Sequence, residues 1–144
     1  MICGGNPPAD VQALGRPLGE AVDYPGFVRG PEKLRLLQQA TLLVLPSYAE
    51  GVPIAVLEGM AAGLPVVTTP VGGVPDGFAD GINGFLVSPG DSHALAQAIE
   101  RLLDDPDLRQ AMGQANRRKA LEDFNVPIYV ERLLALYRDL VPIA

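Results

Sequence analysis

Two carboxylates, Glu50 and Glu58, stand in a stretch that is otherwise small and apolar, PSYAEGVPIAVLEGMAAGLPVV at residues 46–67. Burying an ionised carboxylate without a partner costs several kcal/mol, so a glutamate in the middle of such a helix needs one. If the eight steps from Glu50 to Glu58 were all helical they would span ~12 Å. Glycosidase carboxylates face each other at ~5–9.5 Å across one bond, so this spacing suits one long ligand better than a hydrolytic pair. Gly51 lets backbone approach closely, and a helix starting near Pro53 presents unpaired N–H groups and about half a positive charge, a setting that suits phosphate. A carboxylate also accepts hydrogen bonds from vicinal hydroxyls, as the acidic residue of dinucleotide-binding folds does from ribose. Glu58 on a ribose, the helix start on a diphosphate and Glu50 on a sugar would form a row that matches a nucleotide sugar. The plain alternatives are a satisfied core or edge carboxylate at Glu58 and a solvated loop residue at Glu50. Their order around one helix start favours the ligand.

Elements must hold such a row in place. Short apolar runs rich in β-branched residues alternate with helix-length segments along the chain, which is the signature of a parallel α/β sheet. Strands are expected at residues 22–28, 41–45, 65–69 and 84–87, and helices at 31–39, 53–62, 91–103, 107–121 and 127–140. Pro31 and Pro53 suit first helical positions, Gly63 a C-terminal cap and Asp91 an N-cap. The run TLLVL at 41–45 has no polar alternation, so it reads as a central strand covered on both faces. The fold class is α/β, a Rossmann-like parallel sheet with helices on both faces. In open parallel sheets ligands bind at the carboxyl ends of strands, and SYAEGVP follows such an end. The opening MICGGNPP reads as the end of a buried strand and a Gly-Gly turn, so the chain is expected to start inside a domain.

The bulk properties exclude several classes. A chain of 144 residues, 48% hydrophobic and 19% charged, is long enough for one core that buries roughly two-thirds of its unfolded surface. A formal charge of −6 argues against nucleic acid as a partner, because such binders depend on basic side chains. The single cysteine, Cys3, permits no internal disulfide and no Cys-based metal site, which fits a reducing compartment. No apolar run reaches the ~20 residues of a membrane span, and the cytoplasm is the expected location. His93 has no His or Cys near it and reads as a surface residue, so no metal site is expected. RRK at 117–119 reads as a solvated helix end, and DDPD at 104–107 as a helix break with a new N-cap.

The segment PSYAEGVPIAVLEGMAAGLPVVTTPVGGVPD, followed by DGINGFLVSPGD, closely resembles the C-terminal donor-binding domain of retaining family-4 glycosyltransferases of the GT-B fold. YPGFV, ATLLVLPS and FNVPIYVERLLALY extend the resemblance over nearly the whole chain. It implies that residues 1–144 are part of the nucleotide-sugar-binding domain, with its first elements missing. By the same resemblance Glu50 contacts the transferred sugar, Glu58 binds the ribose, and backbone amides of Gly51, Val52 and Ile54 face the diphosphate. Gly72 and Gly73 border that cleft, and the Phe27–Arg29 loop, with Val28 and Arg29, lies along the base. Two positions depart from the pattern: Gly59 stands where alanine is common, and Asp76 where glutamate is common. Gly59 is expected only to weaken its helix by up to ~1 kcal/mol.

The resemblance further implies a metal-independent, retaining transfer without a protein nucleophile and without a cofactor, from a UDP- or GDP-linked sugar to an acceptor hydroxyl. The N-terminal domain of such enzymes, which carries the acceptor site and usually a catalytic histidine, is not matched here. Neither are the Arg and Lys that neutralise the donor diphosphate, and no Lys or Arg occurs between Arg35 and Arg101. The chain is therefore expected to be a fragment, inactive alone, whose acceptor (a sugar, lipid or small molecule) binds elsewhere, at a membrane surface or free of one. The alternative is a non-catalytic nucleotide-sugar-binding module, or a half-enzyme that pairs with a separate acceptor-domain chain. In the last helix Ile128, Leu133, Leu134, Leu136, Tyr137 and Leu140 make an apolar surface broader than one stripe, which points to a homo-oligomer.

Overall fold

Three short apolar runs form the sheet: β1 (Leu43–Leu45), β2 (Val66–Thr68) and β3 (Gly84–Leu86). They lie in the order β1-β2-β3 with both pairings parallel, Leu43 opposite Val66 and Val66 opposite Gly84. The computed structural model describes residues 9, 13 and 15–140, and the chain divides into two units, Met1–Gln39 and Ala40–Ala144. The opening MICGGNPP lies outside the described residues.

In the second unit a parallel pairing requires a crossover, and helices supply it. α2 (Ile54–Ala61) connects β1 to β2, and a single turn, α3 (Val74–Gly77), lies between β2 and β3. α4 (Ser92–Asp104), α5 (Pro106–Asp123) and α6 (Val126–Leu140) follow. The expected helices and the last three expected strands are all present, with ends displaced by one or two residues. The turn at 74–77 was not foreseen.

The core has two parts, one on each face of the sheet. Val56 and Met60 of α2 and Ala120 of α5 pack with Val66, Leu43 and Leu45. Ala98 and Leu102 of α4 and Met112 of α5 pack with Val67, Leu42 and Val44. The alternating side chains of TLLVL thus enter both clusters, as a run without polar alternation should. The run is nevertheless not the middle strand among the described residues. That position belongs to β2, whose three residues are all buried, whereas β1 is only half-buried.

Local signals fix the helix ends. Asp91 accepts from the Ala94 amide and Asp105 from the Leu108 amide, both at 2.9 Å, so the break read from DDPD is an N-cap followed by Pro106 in the first turn. Asn125 likewise accepts from the Ile128 amide at 3.0 Å at the start of α6. At this corner Lys119 and Arg132 approach Asp123 at 3.0 and 3.3 Å, and together they hold its carboxyl below the usual carboxylate range. Leu134, Leu136, Tyr137 and Leu140 of α6 are exposed.

One buried polar group ties this unit together. Asn116 on α5 is fully buried; its side-chain amide donates to the backbone carbonyls of Leu64 and Asn83, and its side-chain oxygen accepts from the Asn83 side-chain amide, each at 2.7 Å. Asn83 in turn accepts from the Ala79 amide at 2.8 Å. The entry to β2, the turn before β3 and α5 therefore share one hydrogen-bonded centre.

The first unit contains a 3-10 helix, Arg16–Ala21, and α1 (Gly30–Gln39). Residues 22–28 do not form the expected strand. Pro25 has no N–H to donate and Gly26 adopts φ +74°, so a single bridge at Gly26 stands where a continuous strand was expected.

Candidate functional site

The loop between β1 and α2 is built from the sheet outward. At the end of β2, Thr68 donates its hydroxyl to the Leu45 carbonyl at 2.9 Å, and Thr69 donates to the Ser47 carbonyl at 2.5 Å. Ser47 then donates its own hydroxyl to Glu50 Oε1 at 2.6 Å, a short hydrogen bond of the charge-assisted kind. Glu50 is thereby held from its own loop, and that loop is held from the neighbouring strand. Sequence reading missed Ser47 and Thr69, because a serine and a threonine beside Pro and Gly look like ordinary loop and strand-end residues.

A second loop, residues 69–74, closes against the first. Gly73 donates its amide to the Gly51 carbonyl at 2.7 Å. Gly72 has φ +57°, and a Cβ there would fall inside contact distance of the Glu50 and Gly51 carbonyl oxygens. Glycine is required at 72 for both reasons. The structure therefore brings together Glu50, Gly51, Val52, Gly72 and Gly73, at the carboxyl ends of β1 and β2. Val52 and Ile54 are exposed beside them.

α2 starts from this loop. Pro53 is not the first helical residue as expected but the N-cap, extended at φ −76° and ψ 91°, and its carbonyl accepts the Val56 amide at 2.9 Å. Among the described residues no side chain caps this end. Backbone N–H groups at an uncapped helix start attract an anion, a phosphate included.

Glu58 lies one face further along α2 and is half-buried. With Ile54, Leu57 and Ala61 it lines a cavity of about 400 Å³ whose opposite wall is Arg117, Ala120, Leu121, Phe124 and Asn125. Arg117 donates to the Ala61 carbonyl at 3.1 Å and so caps the C-terminal end of α2. RRK is thus not simply a solvated helix end: Arg117 crosses to α2, and Lys119 pairs with Asp123 and lies 5.8 Å from the Phe124 ring centre. The expectation for Gly59 also changes. It is buried, and a Cβ there would meet Leu43 Cδ2 at 2.6 Å, so this glycine admits the β1 side chain against α2 instead of merely loosening the helix.

The remaining candidates fall elsewhere. A cavity of about 440 Å³ is lined by Asp76, Phe78, Ile82, Arg118 and Glu122 among others, and none of the expected donor-binding residues lines it. His93 is exposed in the first turn of α4, and among the described residues no three His, Cys, Asp or Glu side chains group to hold a metal ion. No described helix is long and apolar enough to cross a membrane. In the first unit Val28 is half-buried, and the Arg29 guanidinium lies 4.5 Å above the exposed Phe27 ring, a cation–π contact.

The family model of glycosyl transferases group 1 matches residues 1–119. The chain belongs to this family. It is 35% identical over 150 residues to a D-inositol 3-phosphate glycosyltransferase of Corynebacterium aurimucosum, an alignment that takes in 99% of this chain and 35% of that protein. It is 37% identical over 109 residues to an alpha-maltose-1-phosphate synthase of Mycobacterium tuberculosis, covering 72% of this chain and 28% of the relative. Among solved structures, the sucrose-phosphate synthase from Thermosynechococcus elongatus superimposes with a TM-score of 0.84 at 32% identity, over 96% of this chain and 37% of that one. Anabaena HepE in complex with UDP-glucose shares the fold, with a TM-score of 0.81 at 24% identity over 96% of this chain and 40% of that one. The group 1 glycosyltransferase chain thus has the fold of a GT-B C-terminal domain, and it spans about a quarter to a third of the length of the first curated relatives.

Proposed function

We propose that the chain is the donor-binding part of a retaining family-4 glycosyltransferase and takes a UDP- or GDP-linked sugar at the start of α2. The observation that carries this reading is the pair of loops locked together at the ends of β1 and β2, which sets Glu50 beside an uncapped helix N-terminus. In this reading the amides of Gly51, Val52 and Ile54 meet the diphosphate, Glu50 accepts from hydroxyls of the sugar, and Glu58 accepts from the ribose hydroxyls. Support for a nucleotide-sugar donor comes from the solved relative of the same fold that holds UDP-glucose.

In the whole protein the bond between the anomeric carbon and the diphosphate oxygen breaks, and the acceptor oxygen bonds to the anomeric carbon on the same face. The acceptor proton passes to the departing diphosphate, so no protein nucleophile is used. A helix terminus contributes only about 0.3–1 kcal/mol per charge, up to ~2, which is thin support for a leaving diphosphate. Because residues 36–100 contain no Lys or Arg, the proposal places the remaining positive charge and the acceptor site outside this stretch. The 144-residue chain by itself is therefore expected to bind donor without turning it over. An assay for sugar transfer or donor hydrolysis checks this, and measurable turnover by the purified chain would contradict it.

The ribose assignment has its own measurement. In calorimetric titration with UDP and with GDP, Glu58→Gln is expected to weaken binding about tenfold or more, a loss of ~1.4 kcal/mol or greater, as one charged acceptor is removed. Equal affinities for variant and parent would remove Glu58 from the ribose.

A further inference from the structure

Glu50 is an exposed-loop glutamate by sequence, with three rotatable bonds that must be ordered before it can meet a ligand in one geometry. Side-chain ordering of this kind opposes binding unless the free protein has already imposed it. Here a chain of hydrogen bonds imposes it. The Ser47 hydroxyl donates to Glu50 Oε1 at 2.6 Å, and the Ser47 carbonyl accepts the Thr69 hydroxyl at 2.5 Å. Thr69 is fully buried where β2 ends, so the chain is anchored in the core. Each hydroxyl has one proton to give, and each gives it in the direction of Glu50.

We propose that Ser47 is a positioning residue for Glu50, with Thr69 as its anchor, so that the carboxylate is presented in one orientation before any donor arrives. The proposal rests on the donor reading only for what Glu50 contacts, namely the sugar and not the nucleotide. Ser47 Oγ spends its proton on Oε1, so that oxygen is oriented while Oε2 remains to accept from a sugar hydroxyl. Selectivity for the sugar-bearing donor over the bare nucleoside diphosphate would then depend on a serine that touches neither.

The test compares UDP-glucose with UDP by calorimetric titration on the 144-residue chain. Ser47→Ala is expected to weaken UDP-glucose about tenfold and leave UDP within about twofold, the effect of losing one charge-assisted hydrogen bond on one part of the ligand. Thr69→Val is expected to move the same ratio in the same direction, and Ser47→Thr, which keeps the hydroxyl, to restore it. In a Glu50→Ala background Ser47→Ala should have no further effect. Equal losses for both ligands would assign Ser47 to loop structure alone and overturn the proposal, as would no loss at all. A ligand-free measurement separates this from the donor reading. If neither nucleotide binds the parent, the donor reading falls, but the vicinal NMR couplings that report the Glu50 χ1 angle still decide the relay. One rotamer in the parent and averaged rotamers in Ser47→Ala support it; the same averaging in both overturns it.

Discussion

Replacing Asn116 by leucine is expected to destabilise the chain by about 3 kcal/mol, because three hydrogen bonds in a dry site are lost and their partners remain. Leucine keeps the branching of asparagine but is bulkier and cannot hydrogen-bond, so overpacking adds to the loss of polar partners. The substitution strands the Leu64 carbonyl and the Asn83 side-chain amide, which now meet the Asn116 side chain at 2.7 Å, and leaves the Asn83 carbonyl with only the Val66 amide at 3.2 Å. Net contributions of about 1 kcal/mol per bond set the scale, and a buried unsatisfied group raises it. Urea unfolding should show a lower midpoint with an unchanged slope. A loss under about 1 kcal/mol would mean that water enters and replaces the amide. The effect should reach the site as well, since Leu64 leads into β2, and β2 ends at the threonines that hold the β1–α2 loop.

Gly72→Ala is expected to weaken UDP-glucose binding about 100-fold while leaving the sheet intact. An L-residue at φ +57° carries a penalty of about 1–2 kcal/mol, and parting the two loops loses the Gly73–Gly51 hydrogen bond, about 1 kcal/mol more. The colliding atoms are backbone carbonyl oxygens of Glu50 and Gly51, which no side-chain rotation can move aside. The loops must separate, and Glu50 moves with them. Gly81→Ala is the control: Gly81 has φ +74° and nothing within 4 Å of a would-be Cβ, so it reports the strain alone. Circular dichroism and titration of the two variants check the difference. Comparable binding by both would show that the contact between the loops does not shape the site.

Periodicity and punctuation in the chain carried most of the secondary structure. Runs such as TLLVL and PVVTT can bury both faces only in a parallel sheet covered by helices, and Asp91, Asp105 and Gly63 close helix ends through contacts a few residues away. The pairing of Glu50 with a helix start was also visible, since both lie within one short segment. Other features depend on residues that are far apart in the chain. Thr69 and Ser47 are 22 positions apart, Asn116 and Leu64 are 52 apart, and Arg117 and Ala61 are 56 apart. No local preference links such residues. A serine in a loop, an asparagine in a helix and an arginine in RRK all look like solvated side chains until the fold supplies their partners. The middle place of β2 in the sheet has the same origin, because an apolar run shows that a strand is covered on its faces but says nothing about which strands lie at its edges. Gly72 shows the limit most clearly: its need for a positive φ belongs to its own turn, but the reason no side chain fits is a carbonyl on another loop.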